Sequence, residues 1–93
     1  MKNFIIETTT GEYVLTLSFH NNKVDVILSK MIEQVFDNIP RNIAFRNVYA
    51  HRNVNKDFEC IYNETKDCVN HFGIWSNKNE ESFKEWINNS ILV

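Results

Sequence analysis

Apolar and polar side chains alternate from residue 12 to residue 28, which is typical of two half-buried antiparallel strands. Asn21 and Asn22 lie between the two strands, where a two-residue hairpin turn tolerates positive φ. This turn predicts a register in which apolar residues face each other across the hairpin. The predicted pairs are Phe19 with Val24, Leu17 with Val26 and Leu15 with Leu28.

Helical spacing of apolar residues occurs in two later segments. Over residues 29–39 apolar positions recur every three or four residues after Ser29, which can cap a helix, and Pro40 would end that helix. Over residues 77–91 Asn77 and Glu80 resemble a capping box before a second apolar stripe. Further strands are predicted at residues 3–7, 42–52, 57–62 and 68–75, the last two around a polar turn at 63–67.

The predicted element order is three strands and a helix followed by three strands and a helix. Alternating strands need only one apolar layer, so one face of the sheet can remain in water. We expect an α+β fold in which two helices pack on one face of a mainly antiparallel sheet. The chain of 93 residues is expected to form a single domain over residues 1–93.

The composition supports a packed core and excludes two other classes of protein. The chain is 43% hydrophobic and 13% aromatic, which is too apolar for an intrinsically disordered protein. Its apolar runs are only a few residues long, whereas a membrane helix needs about 20. The apolar stretch that ends before Glu7 is too short for a secretory signal, so the expected location is the cytoplasm.

The residues that usually mark a catalytic or cofactor site form no familiar pattern here. Two glycines and one proline do not make a glycine-rich phosphate-binding loop. Seven residues separate Cys60 from Cys68, and neither a second cysteine pair nor a His-x-His motif completes a zinc site. We therefore expect free thiols, no metal ion, no cofactor and no enzymatic activity.

Acidic side chains favour a protein partner. The net charge of −2 argues against a general nucleic-acid binder, which needs a surplus of lysine and arginine. Glu12 and Asp25 are expected on the open face of the sheet, and Glu81 and Glu85 on the last helix. Such carboxylates complement a basic surface, including the substrate cleft of a nuclease. The first hypothesis is a small cytoplasmic inhibitor that covers such a cleft, either a toxin immunity protein or a phage-borne inhibitor of a host defence nuclease.

Two alternatives from other functional classes remain open. The segment from Asn38 to Lys56 contains four basic residues and no acidic one, which would suit a nucleic-acid-binding module with a stacking tyrosine. The residues of this alternative are Arg46, Tyr49, Arg52 and Lys56. A small ribonuclease would instead need His51 or His71 as an acid or base near a scissile phosphate. An unpaired sheet edge would in addition allow two copies of the chain to form a homodimer.

Overall fold

The computed structural model describes residues 2–9, 11–36 and 39–92, and the side chains of all of these except residues 33–44. Over these residues the chain forms a four-stranded antiparallel sheet and two α-helices, so the predicted α+β class is confirmed. The strands lie side by side in chain order: β1 (Lys2–Thr8), β2 (Gly11–His20), β3 (Lys23–Phe36) and β4 (Ile39–Asn55). Both helices, α1 (Phe58–His71) and α2 (Glu80–Ile91), follow the last strand.

The hairpin of β2 and β3 has the predicted register. Phe19 pairs with Val24, Leu17 with Val26 and Leu15 with Leu28. Asn21 adopts a φ of 56°, the left-handed conformation that the two-residue turn requires and that asparagine tolerates. Turn chemistry and apolar alternation agree here, and this agreement fixes the register.

The helix predicted over residues 29–39 is wrong, because β3 continues to Phe36. Ile32 pairs with Ala44 and Gln34 with Asn42 on β4. Isoleucine, valine and phenylalanine favour strands, and they satisfy this long pairing although their spacing also matches a helix. Residues 37 and 38, which the predicted helix included, lie outside the described part of the chain. Pro40 is tolerated because β4 is an edge strand.

The strands predicted at residues 57–62 and 68–75 are also wrong, because most of this region forms α1. Asp57 is the N-cap, and its side chain accepts a hydrogen bond from the Cys60 backbone N–H at 2.9 Å. The buried residues recur at helical spacing: Ile61, Thr65, Cys68 and Val69. Gly73, with a φ of 65°, follows the end of the helix and donates its N–H to the Asn70 carbonyl.

The final helix is confirmed, although α2 begins at Glu80 after a 3₁₀ turn at Asn77–Asn79. The capping box predicted from Asn77 is therefore wrong, since Asn79 occupies the N-cap position. Within the described residues, neither helix has the length and apolarity needed to cross a bilayer.

Both helices pack on the same face of the sheet and close one core. This face buries alternate residues of β1, β2 and β3 together with Ile61, Val69, Phe83 and Ile87 of the helices. Phe83 is completely buried and contacts four aromatic rings, those of Phe4, Tyr62, Trp75 and Trp86. The opposite face of the sheet carries no helix in the described part of the chain.

Three register shifts interrupt the pairing of β3 with β4, and one of them lies between Gln34 and Phe36. The other two are a first bulge between Leu28 and Ser29 and a second bulge between Val24 and Val26. At the second bulge Arg52 and Asn53 lie opposite the single residue Asp25, and Asn53 has a φ of 57°. Between the bulges Tyr49 pairs with Leu28 and His51 with Val26, so both side chains face the helices. The bulges thus aim these two polar aromatic side chains at α1.

Candidate functional site

Large apolar side chains are exposed on the helix-free face of the sheet. The Ile5 residue on β1 is 58% exposed and Phe45 on β4 is 50% exposed. An open groove of about 320 Å³ joins them across the sheet. We call this surface the sheet-face groove, and it is lined by Asn3, Ile5, Glu12, Val14, Thr16, Ser29 and Phe45. Its floor is polar where the Ser29 hydroxyl donates to Asn47 Oδ1 at 2.8 Å.

Two carboxylates lie directly opposite each other beside this groove. Glu7 on β1 pairs with Glu12 on β2, and strand alternation places both side chains on the helix-free face. Like charges in directly opposite positions destabilise a sheet. Among the described residues, neither carboxylate has an ion-pair partner. The groove therefore has one acidic border, and Glu12 lies on the open face of the sheet, where strand alternation placed it.

Asp25 also lies on the helix-free face, but its carboxylate is bound within the protein. It accepts hydrogen bonds from the Asn53 backbone N–H at 3.0 Å and from Arg52 Nη1 at 3.2 Å. His20 Nε2 lies 3.1 Å from its Oδ1 atom. The Asn53 N–H, followed by the hydrogen bond with His20, lowers the pKa of Asp25 to about 2. Asp25 thus holds the bulge in β4 and is less available to a partner than Glu12.

The other two predicted partner contacts lie on the opposite side of the molecule. Glu81 and Glu85 are exposed on α2, whose buried residues Phe83 and Ile87 face the sheet. They therefore point away from the sheet on the side where the helices lie. The structure does not bring these two carboxylates together with Glu12 and Asp25, so one flat surface cannot contact all four.

The predicted nucleic-acid residues are also divided between the two faces. Arg52 binds Asp25 on the helix-free face, whereas Tyr49 faces the helices and stacks on His71 with ring centroids 4.6 Å apart. Lys56 Nζ lies 5.3 Å from the centre of the Phe19 ring, and Arg46 is exposed opposite Lys30. These positions do not form one continuous basic and aromatic strip.

His51 lies at the centre of a second polar cluster, between β4 and α1. Its Nδ1 is 3.0 Å from Glu64 Oε2 and its Nε2 is 2.9 Å from Asp67 Oδ2. His51 and His71 both contact the Tyr49 ring, with centroids 5.2 Å and 4.6 Å away respectively. The two histidines are therefore near neighbours, but each ring nitrogen of His51 already contacts a carboxylate of α1.

An open groove of about 500 Å³ adjoins this cluster. His51, Glu64, Asn63 and Cys60 line it together with residues of the β4 bulge. A hydrogen bond with Asp57 raises the pKa of the Cys60 thiol, so this groove does not hold an activated thiolate. Burial raises the pKa of Cys68 to about 12.

Glu64 and Asp67 were not predicted as site residues, because residues 63–67 were expected to form a turn. The signals for a helix were present: Asp57 as N-cap, followed by apolar residues at helical spacing. On a helix, residues three apart share a face, which would have placed the two carboxylates together.

Comparison with models of protein families, with curated proteins and with solved structures finds no match to this chain.

Proposed function

We propose that this protein is a small cytoplasmic inhibitor that binds another protein through the sheet-face groove. Its target in this proposal is a nuclease whose basic substrate-binding surface it covers, as a toxin immunity protein or a phage anti-defence inhibitor does. The observation that carries the proposal is the combination of exposed Ile5 and Phe45 with the carboxylate pair Glu7 and Glu12, which has no ion-pair partner in the described part of the chain.

The apolar part of this surface supports protein binding. Protein interfaces have an apolar core with aromatic residues and a polar rim. Phe45 and Ile5 provide exposed apolar area on the helix-free face, and Asn3, Thr16 and Glu12 provide polar groups around it. A flat sheet surface of this kind can cover a cleft without entering it.

The charge of the surface supports a basic partner. Glu7 and Glu12 repel each other in the free protein, and a cationic surface would relieve that repulsion on binding. Complementary charge also speeds association and selects among partners. The substrate cleft of a nuclease is basic because it binds phosphates, so it matches this border in sign.

The helix side supports this role less well. Glu81 and Glu85 are exposed on α2, but Lys84 lies between them in sequence and is 3.6 Å from Glu80. Lys84 thus offsets the charge of Glu80, and within α2 no large apolar side chain is exposed that could form the core of an interface. We accordingly assign partner binding to Glu12 and its neighbours and treat Glu85 as a control position.

The proposal is tested by affinity capture from nuclease-treated lysate of the source organism. The baits are the wild-type chain and the variants Phe45→Ser, Glu12→Lys and Glu85→Lys, all at exposed or half-exposed positions. We expect one basic protein in stoichiometric amount on the wild type and on Glu85→Lys, and its loss from Phe45→Ser and Glu12→Lys. Equal capture by all four baits would contradict the proposed surface, and recovery of nucleic acid in place of protein would contradict the proposed function.

A further inference from the structure

A histidine and two carboxylates from different elements converge between β4 and α1. His51 projects from the strand segment between the two bulges, and Glu64 and Asp67 lie three residues apart on the helix. One potential ligand atom from each side chain lies within 4.8 Å of the other two. Of these atoms, His51 Nε2 and Asp67 Oδ2 are 2.9 Å apart, and tetrahedral zinc ligands with bonds of about 2.1 Å are about 3.4 Å apart, so a small side-chain rotation makes room for an ion between the two.

The contacts of the His51 ring suit a bound cation. A neutral imidazole has one N–H donor and one nitrogen with a lone pair, whereas a carboxylate can only accept. Both ring nitrogens of His51 lie about 3 Å from carboxylate oxygens. A neutral ring can therefore donate to one carboxylate and offer its lone pair to a metal ion that the other carboxylate also binds. His20 differs, because only one of its ring nitrogens contacts a carboxylate, and Arg52 already binds that carboxylate.

We propose that His51, Asp67 and Glu64 form a binding site for a divalent transition-metal ion. The ion binds His51 Nε2 and Asp67 Oδ2, while Nδ1–H donates to Glu64 and holds the ring in place. A carboxylate that accepts the second ring N–H is the usual support of a metal-binding histidine. This site departs from the expectation of no metal ion, which considered only cysteine pairs and closely spaced histidines.

Ligand chemistry selects Zn²⁺ as the best probe. Imidazole nitrogen and carboxylate oxygen are common zinc ligands, whereas Ca²⁺ and Mg²⁺ prefer oxygen ligands alone. The two carboxylates offset the charge of a dication. The Asp67 side chain is 61% exposed, so water can fill the remaining coordination positions. A bound ion would join β4 to α1 and stabilise the folded chain in proportion to its occupancy.

The test is calorimetric titration of the protein with Zn²⁺ at pH 7.5 in a buffer that does not chelate metal. The variants are His51→Gln, Asp67→Asn and Glu64→Gln, with His20→Gln as the matched control. We expect one ion per chain for the wild type and for His20→Gln. Loss of either direct ligand should weaken binding at least tenfold, and Glu64→Gln should weaken it by about 10- to 100-fold.

A pH series separates a metal site from a site for a proton alone. Protons compete with Zn²⁺ for imidazole and carboxylate ligands in general, so wild-type affinity should fall as the pH is lowered from 7.5 to 5.5. Circular dichroism of each variant checks that it is folded. If His51→Gln does not fold, Asp67→Asn provides the test, because the Asp67 side chain is exposed. No binding to the wild type, or equal binding to the wild type and a folded His51→Gln or Asp67→Asn, would overturn the proposal.

Discussion

Phe83 is the side chain whose truncation we expect to weaken the fold most. Its ring is fully buried, and its centroid lies 4.9 Å from that of Trp75 and 5.6 Å from that of Tyr62. It also contacts Phe4 on β1, at 5.9 Å between centroids. Phe83→Ala therefore removes contacts that join α2 to the sheet, to α1 and to the loop before α2.

The expected loss of unfolding free energy is about 3–5 kcal/mol, the range for a buried phenylalanine replaced by alanine. The aromatic pairs around Phe83 favour the upper half of this range. A domain of this length has a total stability of roughly 5–14 kcal/mol, so the variant loses a large fraction of it. With a urea m value of about 1.5 kcal/mol per M, the unfolding midpoint should fall by about 2–3 M.

The assay is urea unfolding followed by tryptophan fluorescence, because Trp75 and Trp86 both contact Phe83. Phe45→Ala is the matched control: the same atoms are removed from a residue that is 50% exposed. We expect this control to change stability by less than about 1 kcal/mol. Equal midpoints for the two variants would refute the assignment of Phe83 to the centre of the core.

Three further predictions concern the β4 bulge and the cysteines. Because its pKa is about 2, the Asp25 carboxylate stabilises the fold above the ordinary carboxyl pKa, and this stabilisation is lost as the pH falls from about 4 to about 2. Asp25→Asn should thus lower the urea midpoint at pH 7 but have little effect at pH 2. Asn53→Val should destabilise the protein by about 1–2 kcal/mol in urea unfolding, because a β-branched residue resists positive φ, whereas Asn53→Gly should be nearly neutral. A thiol reagent at pH 8 should label Cys60 slowly in the folded protein and Cys68 only after unfolding.

Each of these three predictions has an outcome that contradicts it. An Asp25→Asn effect of the same size at pH 7 and pH 2 would mean that the charge does not hold the bulge. Equal stability of Asn53→Val and the wild type would exclude the left-handed conformation at that residue. Rapid labelling of Cys68 in the folded protein would show that this thiol is not buried.

Local patterns predicted the hairpin of β2 and β3, whereas pairing between distant residues explains why the helix predicted over residues 29–39 was wrong. The turn at Asn21 and the alternation of apolar and polar residues on both sides of it determine the register of that hairpin. Ile32 and Phe36, by contrast, fit a helix as well as a strand, and their pairing with β4 decides the outcome. The bulge near Asp25 could not be predicted either, because the hydrogen bond from the Asn53 N–H depends on the alignment of two strands.

The candidate sites were predicted to different extents. The position of Glu12 on the helix-free face follows from strand alternation alone and agrees with the structure. The cluster around His51 was missed because Glu64 and Asp67 were assigned to a turn and because α1 was not recognised. The convergence of a strand residue with a helix face depends on how the helix packs, and sequence periodicity contains no information on that packing.

The rate of association with the captured partner tests the central claim most directly. It is measured for the wild type, Glu12→Lys and Glu85→Lys over a range of salt concentrations. We predict that Glu12→Lys associates roughly tenfold more slowly at low salt and shows a weaker salt dependence, because an attractive charge has become repulsive. Glu85→Lys should match the wild type. An unchanged rate for Glu12→Lys, or a slower rate for Glu85→Lys alone, would contradict docking through the helix-free face of the sheet.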